Sequence, residues 1–307
     1  MENVKNLLTS MPGMSGTELC IADRKLGKYY GELISGYVQA MGLEVSFIAS
    51  HGHTIFHEPS RGMTFQAGHG AAIAAESELP VVCDFRSSDV ALGGQGAPLV
   101  PIGDELLFGN FDALINLGGF ANISHRKNEE RIAWDICPVN IVFNHYSRKL
   151  GRDFDINGAL AASGIPNSQL LETLDKLPYY SASHPKSLGR EWIEKVFMPE
   201  IEKSGLENTE DILCTLVHHA AGQIVNASGD NKTVLFTGGG TKNRFLASTI
   251  KDKLQERMFI PDETMIDFKE ALIFAFMGWL RINELPNTIS SSTGARKEVS
   301  AGAIYIQ

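Results

Sequence analysis

At 307 residues the chain is long for a single hydrophobic core and long enough for two domains. Its hydrophobic content of 43% and charged content of 21% are typical of a globular protein. The net charge of −9 argues against a nucleic-acid partner, which requires a basic surface. A nucleotide is not excluded, because loop amides and a metal ion bind phosphate without surface lysines.

Cysteine spacing and the N-terminus bear on the cellular compartment. The four cysteines are far apart and form no C-x-x-C pair, which is typical of reduced core thiols rather than of disulfides or a zinc site. The N-terminus lacks the apolar stretch of a signal peptide, and no run reaches transmembrane length. We therefore expect a cytoplasmic protein without membrane or nucleic-acid partners.

Periodicity predicts strands alternating with helices in the first half of the chain. Apolar residues at helical spacing predict a long helix over residues 18–41, ended by Gly42. Strand candidates are Val45 to Ala49, Met63 to Gln66, Val81 to Asp84 and Ala113 to Leu117, and Ala71 to Glu76 is a short helix candidate. This alternation indicates an α/β domain, and the polar run at 127–131 is typical of a hairpin tip at a domain edge.

The second half is expected to be more helical. Helices are predicted at Val139 to Leu150, Ser168 to Lys176, Trp192 to Lys203, Thr209 to Ala227, Asn243 to Gln255 and Lys269 to Asn283, with strands at Val234 to Thr237 and in the last residues. We expect an N-terminal α/β domain over 1–130, with 291–307 packing back on it. A second α/β domain is expected over 131–290.

Two glycine loops each follow an apolar strand. The first is A-L-I-N-L-G-G-F-A-N-I-S at 113–124, and the second is V-L-F-T-G-G-G-T-K-N-R-F-L at 234–246. Glycine lets backbone amides point into a concave turn and bind an anion. One such loop is usually a plain turn, but one in each half of the chain indicates a nucleotide held between two domains.

Polar residues follow two predicted strands of the first half. S-H-G-H-T contains His51 and His53, and D-F-R contains Asp84 and Arg86; residues just past a strand end often line the crevice of an α/β sheet. Alternatively, the histidines only cap their loop. G-G-Q-G-A-P-L-V-P at 93–101 is either a loop shaped against a ligand or a surface loop.

Asp135, in I-A-W-D-I-C-P-V-N, lies among apolar residues just before a predicted helix. Partial desolvation would raise its pKa and suit a general base, whereas helix-start amides would keep it ionised as a cap. Lys186 and Arg190 either meet an anionic group or are solvated. Glu270 starts an apolar helix, where it either faces a cleft or complements the helix dipole.

Several other chemistries lack their sequence signatures. The chain has no G-x-S-x-G, no H-E-x-x-H, no clustered cysteines and no Walker-type G-x-x-x-x-G-K-[ST]. Hydrolysis by an activated serine, a zinc centre and a P-loop are therefore not indicated.

The motifs, in this order, resemble those of the anhydro-N-acetylmuramic acid kinases, whose fold is that of actin, hexokinase and the heat-shock ATPases. S-H-G-H-T is similar to the family's S-H-G-Q-T, and the stretch from D-F-R to A-P-L-V-P matches its most distinctive segment. I-N-L-G-G-F-A-N-I-S resembles its second phosphate loop and the G-G-G at 238–240 its adenosine loop. W-D-I-C-P-V-N corresponds to D-T-G-P-G-N with three replacements. The resemblance covers residues 18–307.

The resemblance implies a two-domain, actin-like (ribonuclease-H-like) α/β fold with a central cleft. It implies an enzyme that uses ATP and Mg²⁺ to open the 1,6-anhydro ring of anhydro-N-acetylmuramic acid and phosphorylate O6, in recycling of cell-wall sugars. Asp135 would be the catalytic base. It implies substrate contacts from His51, Asp84, Arg86, Gly94, Gln95, Pro98 and Glu270, and nucleotide contacts from Gly118, Gly119, Asn122, Gly238, Gly239, Gly240 and Asn243. Magnesium ligands are not identified, and a homodimer is a family-level expectation.

The N-terminus departs from the family pattern, which begins with a strand and G-x-M-S-G-T-S-x-D-G-x-D, the first phosphate loop. This chain has M-S-G-T at 14–17, with no apolar strand before it and no S-x-D-G-x-D after it. We expect these residues to cap a helix and the first domain to lack its opening hairpin. A catalytically silent sugar-binding relative is therefore the alternative to an active kinase.

Overall fold

The computed structural model describes residues 2–127, 130–183 and 186–306. Its strands are β1 (Ile48–Ser50), β2 (His53–Glu58), β3 (Met63–Ala67), β4 (Val81–Cys83), β5 (Ala113–Leu117), β6 (Phe120–Lys127), β7 (Glu130–Pro138), β8 (Val234–Thr237), β9 (Met258–Phe259) and β10 (Ala303–Tyr305). The α/β class expected from the alternation is confirmed. The hairpin tip expected at 127–131 has its central residues, 128 and 129, outside the described residues.

The helices connect these strands in chain order. They are α1 (Glu2–Ser10), α2 (Gly16–Met41), α3 (Gly70–Ser77), α4 (Ser87–Ala91), α5 (Pro101–Leu106), α6 (Asn140–Lys149), α7 (Ala159–Ser163), α8 (Ser168–Asp175), α9 (Pro178–Ser181), α10 (Arg190–Trp192), α11 (Met198–Lys203), α12 (Thr209–Ser228), α13 (Arg244–Leu254), α14 (Glu263–Ile282) and α15 (Ser290–Thr293). A π turn, Ile193–Phe197, joins α10 to α11.

The chain forms two compact units, residues 1–107 with 270–307 and residues 108–269. The expected boundaries at 130 and 290 differ from these because β5 and β6 pair with β7 and β8 in one sheet. A domain boundary at residue 130 would separate β6 from β7, which are hydrogen-bonded to each other. Strand pairing of this kind cannot be inferred from periodicity along the chain.

In the first unit, β1 runs parallel to β4 and β10 runs antiparallel to it, giving the strand order β1-β4-β10. Helix α2 packs closely on α3 through Gly31, where an added Cβ would lie 2.7 Å from the Cβ of Glu76. The hairpin β2–β3 was not predicted, since only its second strand has a clear apolar pattern.

Residues 14–17 begin helix α2, as expected. The Ser15 side chain accepts a hydrogen bond from the Glu18 amide, and the Glu18 carboxylate accepts one from the Ser15 amide at 3.0 Å. This reciprocal capping box satisfies amides that the first helical turn leaves unpaired. The residues before it form α1 and a 3₁₀ turn, Met11–Gly13. The M-S-G-T segment is a helix start in this chain.

The second unit is built on a sheet with the strand order β7-β6-β5-β8-β9. Strands β5, β6 and β7 form an antiparallel meander, and β8 and β9 run parallel to β5. Helix α12 packs against this sheet with Leu216, Val217, Ala220 and Ile224 almost fully buried. Strands β6 and β7 were missed because their residues were interpreted as loop and helix-start motifs.

Candidate active site

Both glycine loops belong to the second unit and lie side by side. Strand β5 pairs in parallel with β8, with Asn116 opposite Thr237, and each strand then runs into its glycines. The carboxyl ends of parallel neighbours meet at the same edge of a sheet. The expectation that the loops lie on different domains is therefore wrong.

The second loop requires glycine because it approaches the first so closely. Gly238 has a φ of +86°, and a Cβ there would lie 2.4 Å from Oδ1 of Asn116. A Cβ on Gly240 would lie 2.8 Å from the carbonyl oxygen of Leu117. Real Cβ atoms do not approach this closely, so both positions exclude a side chain. Asn116 lies between the loops and was missed as a candidate, although it stands two residues before Gly118.

The first loop is held by the start of α6. The carbonyl oxygen of Gly119 accepts hydrogen bonds from the amides of Val139 and Ile141, and Asn140 donates its side-chain amide to the Gly118 carbonyl at 2.7 Å. Among the described residues, the Gly119 amide has no hydrogen-bond partner. The loop is thus fixed through its carbonyls while one amide stays available to an anion.

A polar row crosses the second sheet beside these loops. Thr237, Asn116, Asn122 and Asp135 are direct cross-strand partners on β8, β5, β6 and β7. Partners directly opposite share one face of a sheet. The Thr237 hydroxyl is buried without a hydrogen-bond partner among the described residues. This row places four polar side chains next to the two glycine loops.

A pocket of about 210 Å³ adjoins the second loop. Its lining includes Phe143, Phe154, Ile156, Gly239, Lys242 and Asn243. Phe154 and Ile156 are each 56% exposed, so the rim has apolar surface that a flat ligand would cover. Asn243 caps α13 through its Oδ1, which accepts the Leu246 amide at 3.0 Å. The amide nitrogen of that side chain makes no hydrogen bond within the described residues.

Asp135 lies within β7 rather than at a helix start. A register shift opposite Ala121 and Asn122 places a β-bulge in β7 beside it, and bulges redirect side chains. Its carboxylate Oδ2 accepts the Leu188 amide at 2.9 Å. Among the described residues, Oδ1 has no hydrogen-bond partner. Burial raises the pKa of Asp135, and the hydrogen bond from Leu188 opposes this.

The two alternatives for Asp135 are thereby separated. The first amides of α6 bond to the glycine-loop carbonyls, so they do not cap this carboxylate. The carboxyl group is half-buried, burial raises its pKa, and its Oδ1 accepts no hydrogen bond from the residues that the structure describes.

The two basic candidates near residue 188 are not equivalent. Lys186 donates its ammonium to the carbonyl oxygen of Tyr179 at 2.9 Å and lies over the Tyr179 ring. Its ammonium is therefore engaged by protein carbonyl groups, although the side chain is only partly buried. Arg190 is exposed at the start of α10.

In the first unit, Arg86 and His51 form a hydrogen-bonded pair. The Arg86 Nε lies 3.0 Å from His51 Nε2, and Arg86 Nη1 donates to the Gly96 carbonyl at 2.6 Å. The other ring nitrogen of His51 lies 3.0 Å from its neighbouring carbonyl on Gly52. Burial and the adjacent Arg86 charge lower the pKa of His51 to about 4. A neutral ring donating from Nδ1 and accepting at Nε2 satisfies both contacts.

Asp89 organises the G-G-Q-G loop and was missed as a candidate. Its fully buried carboxylate accepts the Gly96 amide at 2.7 Å and the Thr293 hydroxyl at 2.7 Å. A Cβ on Gly94 would lie 2.2 Å from the same carboxylate. The loop is therefore a shaped structure, and the second aspartate of D-F-R-S-S-D was the available signal.

The remaining candidates of the first unit are exposed around this loop. Asp84 has a φ of +56° and accepts the Ser87 hydroxyl at 2.6 Å. Gln95 and Pro98 present exposed side chains, and Glu270 favours the charged form of Arg86. Glu270 lies in the third turn of α14, which begins at Glu263, so it does not complement the helix start as the sequence suggested.

A protein-bound metal centre is not seen in the parts of the chain that the structure describes. No three His, Cys, Asp or Glu side chains come together there in a way that could bind an ion. Likewise, none of the described helices is long and apolar enough to cross a membrane. The free cysteines Cys137 and Cys214 are buried, as expected, whereas Cys20 is exposed.

The described residues form an α/β protein with paired glycine loops, a pocket beside the second loop and a half-buried carboxylate. The family model of anhydro-N-acetylmuramic acid kinase matches residues 3–307. The chain therefore belongs to the anhydro-N-acetylmuramic acid kinase family, and the resemblance seen in its motifs is confirmed.

Curated relatives support this membership. The anhydro-N-acetylmuramic acid kinase of Francisella tularensis subsp. novicida is 38% identical over 93% of this chain and 82% of its own length. That of Haemophilus influenzae is 33% identical over 99% of this chain and 88% of its own, and that of Pasteurella multocida is 34% identical over 92% and 80%.

Solved structures show only distant similarity. Component A of the (R)-2-hydroxyglutaryl-CoA dehydratase of Acidaminococcus fermentans is 17% identical, covers 57% of this chain and 63% of its own, and has a TM-score of 0.35. The activator of the 2-hydroxyisocaproyl-CoA dehydratase of Clostridium difficile is 13% identical, covers 65% and 79%, and has a TM-score of 0.36.

Proposed function

We propose that this chain is an ATP-dependent kinase that opens the 1,6-anhydro ring of anhydro-N-acetylmuramic acid and phosphorylates O6. The observation that carries the proposal is Asp135, which has a raised pKa, one oxygen bound by the Leu188 amide and one oxygen free. The family membership supplies the substrate class.

In the proposed reaction, the free oxygen of Asp135 takes a proton from a water molecule. That water forms a bond to the anomeric carbon, whose bond to the bridging oxygen breaks. The bridging oxygen stays on C6 as O6 and attacks the γ-phosphorus of ATP, and ADP leaves. The proton on Asp135 then returns to solvent. Positioning and charge stabilisation supply most of the rate in phosphoryl transfer.

The second unit would bind the nucleotide. Adenine would cover the exposed side chains of Phe154 and Ile156. The adenosine would also be contacted by the second glycine loop, namely by Gly238, Gly239, Gly240 and Asn243. Gly118, Gly119 and Asn122 would face the phosphates, with the unpaired Gly119 amide donating to a phosphate oxygen. We add Asn116, which lies between both loops.

The first unit would bind the sugar. Arg86 keeps guanidinium protons beyond those given to His51 and Gly96, and these would bind a sugar or lactyl oxygen. Asp84, Gly94, Gln95, Pro98 and Glu270 would complete these contacts. His51 would act indirectly, since both of its ring nitrogens already have protein partners.

Magnesium would accompany the triphosphate. Mg²⁺ in kinases is often held by one or two carboxylates, phosphate oxygens and water rather than by an all-protein cage. Because the described residues contain no acidic cluster, we assign it no protein ligand and derive no step from it.

A coupled assay of ADP release tests the proposal. With ATP, Mg²⁺ and the anhydro sugar we expect ADP release, and mass spectrometry should find a product heavier than the sugar by one water and one phosphoryl group. ADP release without the sugar, or no product with it, would contradict the assignment.

The second candidate is a catalytically silent sugar-binding relative. Residues 14–17 cap α2, so the M-S-G-T letters do not form a phosphate loop at that place. Titration calorimetry with the sugar, run beside the turnover assay, distinguishes the two. Sugar binding without turnover supports the silent relative, whereas turnover excludes it.

Cytoplasmic location and a homodimer remain proposals drawn from the family. Fractionation of cells with an antibody to the chain would test the first. Light scattering of the purified protein, with a mass near twice the 33.5 kDa of one chain, would test the second.

A further inference from the structure

A polar cluster around the buried side chain of His219 connects to the segment that contains Asp135. His219 on α12 is 1% exposed; its Nδ1 lies 2.6 Å from the Asp175 carboxylate and its Nε2 lies 2.8 Å from the Tyr180 hydroxyl. Gln223 also donates to Asp175 at 2.9 Å. The cluster joins the end of α8, helix α9 and helix α12. Both ring nitrogens of the buried His219 have partners, and displacing α8 or α9 would leave one of them unpaired, which stabilises this arrangement.

Helix α9 connects this cluster to Asp135. Tyr179, next to Tyr180, donates its hydroxyl to the backbone carbonyl of Asp135 at 2.5 Å. The carbonyl oxygens of Tyr179 and Tyr180 accept the Lys186 ammonium at 2.9 and 3.4 Å. Helix α9 therefore contacts Asp135 directly and anchors the segment that begins at Lys186.

That segment holds the carboxylate itself. The Asp135 amide donates to the Lys186 carbonyl at 3.2 Å, and the Leu188 amide donates to Asp135 Oδ2 at 2.9 Å. The backbone and the carboxylate of Asp135 are thus both hydrogen-bonded to groups whose position depends on α9. A displacement of α9 would move the Leu188 amide relative to Oδ2.

We propose that Tyr180 and His219 are positioning residues for the base of the proposed reaction. They fix α9 so that the Leu188 amide stays on Oδ2 of Asp135 and Oδ1 is left to the attacking water. The inference rests on the proposed function for the role of Asp135, and neither Tyr180 nor His219 touches the reacting atoms.

The pKa of Asp135 depends on the groups that face its carboxylate, so it reports the position of α9. They are Cys137 further along β7, Tyr179 from α9 and the Leu188 amide from the segment before α10. The Lys186 charge is bound to the α9 carbonyls. The Leu188 amide lowers the pKa of Asp135. Weakening that hydrogen bond by loosening α9 should therefore raise the pKa.

Tyr180→Phe is the test variant because it removes only the hydroxyl that bonds to His219. Tyr146→Phe is the matched control, since Tyr146 is a buried tyrosine of the same unit outside the cluster. The carboxyl pKa of Asp135 would be measured by carbon-13 NMR on protein with labelled aspartate, with Asp135→Asn assigning the signal. We expect a higher pKa in Tyr180→Phe and an unchanged one in Tyr146→Phe.

Kinetics supply a second measurement. In Tyr180→Phe, kcat should fall about 10- to 100-fold, as expected for a displaced base. The acid limb of its pH profile should move to higher pH, while the KM for ATP stays unchanged. A general loss of packing would instead lower kcat without moving the limb.

Failure of the inference and failure of the proposed function are distinguishable. If the wild-type protein does not turn over the sugar, the proposed function fails, but the NMR titration still decides the positioning. Asp175→Ala removes the carboxylate oxygen that pairs with His219 and Gln223, so it disrupts the cluster without changing Tyr180 and serves as a second variant if Tyr180→Phe misfolds. We expect the pKa of Asp135 to rise in both variants, and an unchanged pKa in both would overturn the inference.

Discussion

The two units present their candidate residues in opposite ways. In the first unit Arg86 is bonded to His51, and Asp89 is bonded to Gly96 and Thr293. In the second unit Asp135 Oδ1, the Gly119 amide and the Thr237 hydroxyl have no hydrogen-bond partner among the described residues.

This difference indicates that the polar groups of the two units would contribute to ligand binding in different ways. A pre-formed hydrogen-bond network fixes the shape of a loop, so most of its side chains affect a ligand indirectly by holding other residues in place. Polar groups without a protein partner at a sheet edge are available to a ligand or a water molecule. Their hydrogen bonds are unmade until that ligand or water binds, which costs free energy. Substitutions in the first unit should therefore weaken binding and stability together, whereas those in the second should act on turnover or nucleotide binding.

The largest effect is expected from Asp135→Asn in the second unit. Loss of a general base lowers kcat by roughly 100- to 10,000-fold. Sugar and nucleotide binding, measured by calorimetry, should persist because the side chain keeps its size. Asp153→Asn, an exposed aspartate of the same unit, is the control and should leave kcat unchanged. Turnover retained in Asp135→Asn would exclude this residue as the base.

Asp89→Asn in the first unit should have the next largest effect. Asparagine has one acceptor oxygen for two donors, and a buried donor left unpaired costs about 1–3 kcal/mol. We expect a lower melting temperature and a KM for the sugar about 10-fold higher, with the KM for ATP unchanged. Thr293→Val removes one donor, so the double variant should be less damaged than the sum of the single ones. Strict additivity would show that the pair is not coupled.

Gly238→Ala tests the close approach of the two glycine loops. The φ of +86° with a ψ of 161° lies in a region that essentially only glycine adopts and costs a residue with a Cβ about 1–3 kcal/mol, and Asn116 must shift. We expect the KM for ATP to rise about 10-fold while the KM for the sugar is unchanged. Gly222→Ala is the control, because nothing lies within 4 Å of its added Cβ. Equal behaviour of both variants would argue against a nucleotide at this loop.

The smallest expected effect is a pH dependence from His51. Its folded-state pKa of about 4 lies below the ordinary value of 6.5. Between these values the unfolded state binds a proton and the folded state does not, so stability should fall as the pH is lowered from 6.5 to 4. Melting temperatures of His51→Gln should lack part of this slope, whereas those of His53→Gln should keep it. Identical slopes in both would contradict a neutral His51.

Sequence patterns located the motifs more reliably than they located the surroundings of each residue. Strands β5 and β8 were predicted with their observed bounds because each is a short apolar run ended by glycine. Asp135 was found but assigned to a helix start, since the β-bulge and the pairing of β7 with β6 depend on residues distant in sequence. Asn116 and Asp89 were missed because their contacts, with Gly238 and with Thr293, join residues that are far apart in the sequence.

The sequence by itself determined the family, the positions of the glycine loops and the helix cap at Ser15, all of which depend on local spacing. Tertiary structure alone decided that both glycine loops share one sheet edge and that His51 holds Arg86. It also decided that Leu188 binds Asp135. The physical reason is that strand pairing and buried hydrogen bonds join residues far apart in the chain, and such partners leave no periodic signal along it.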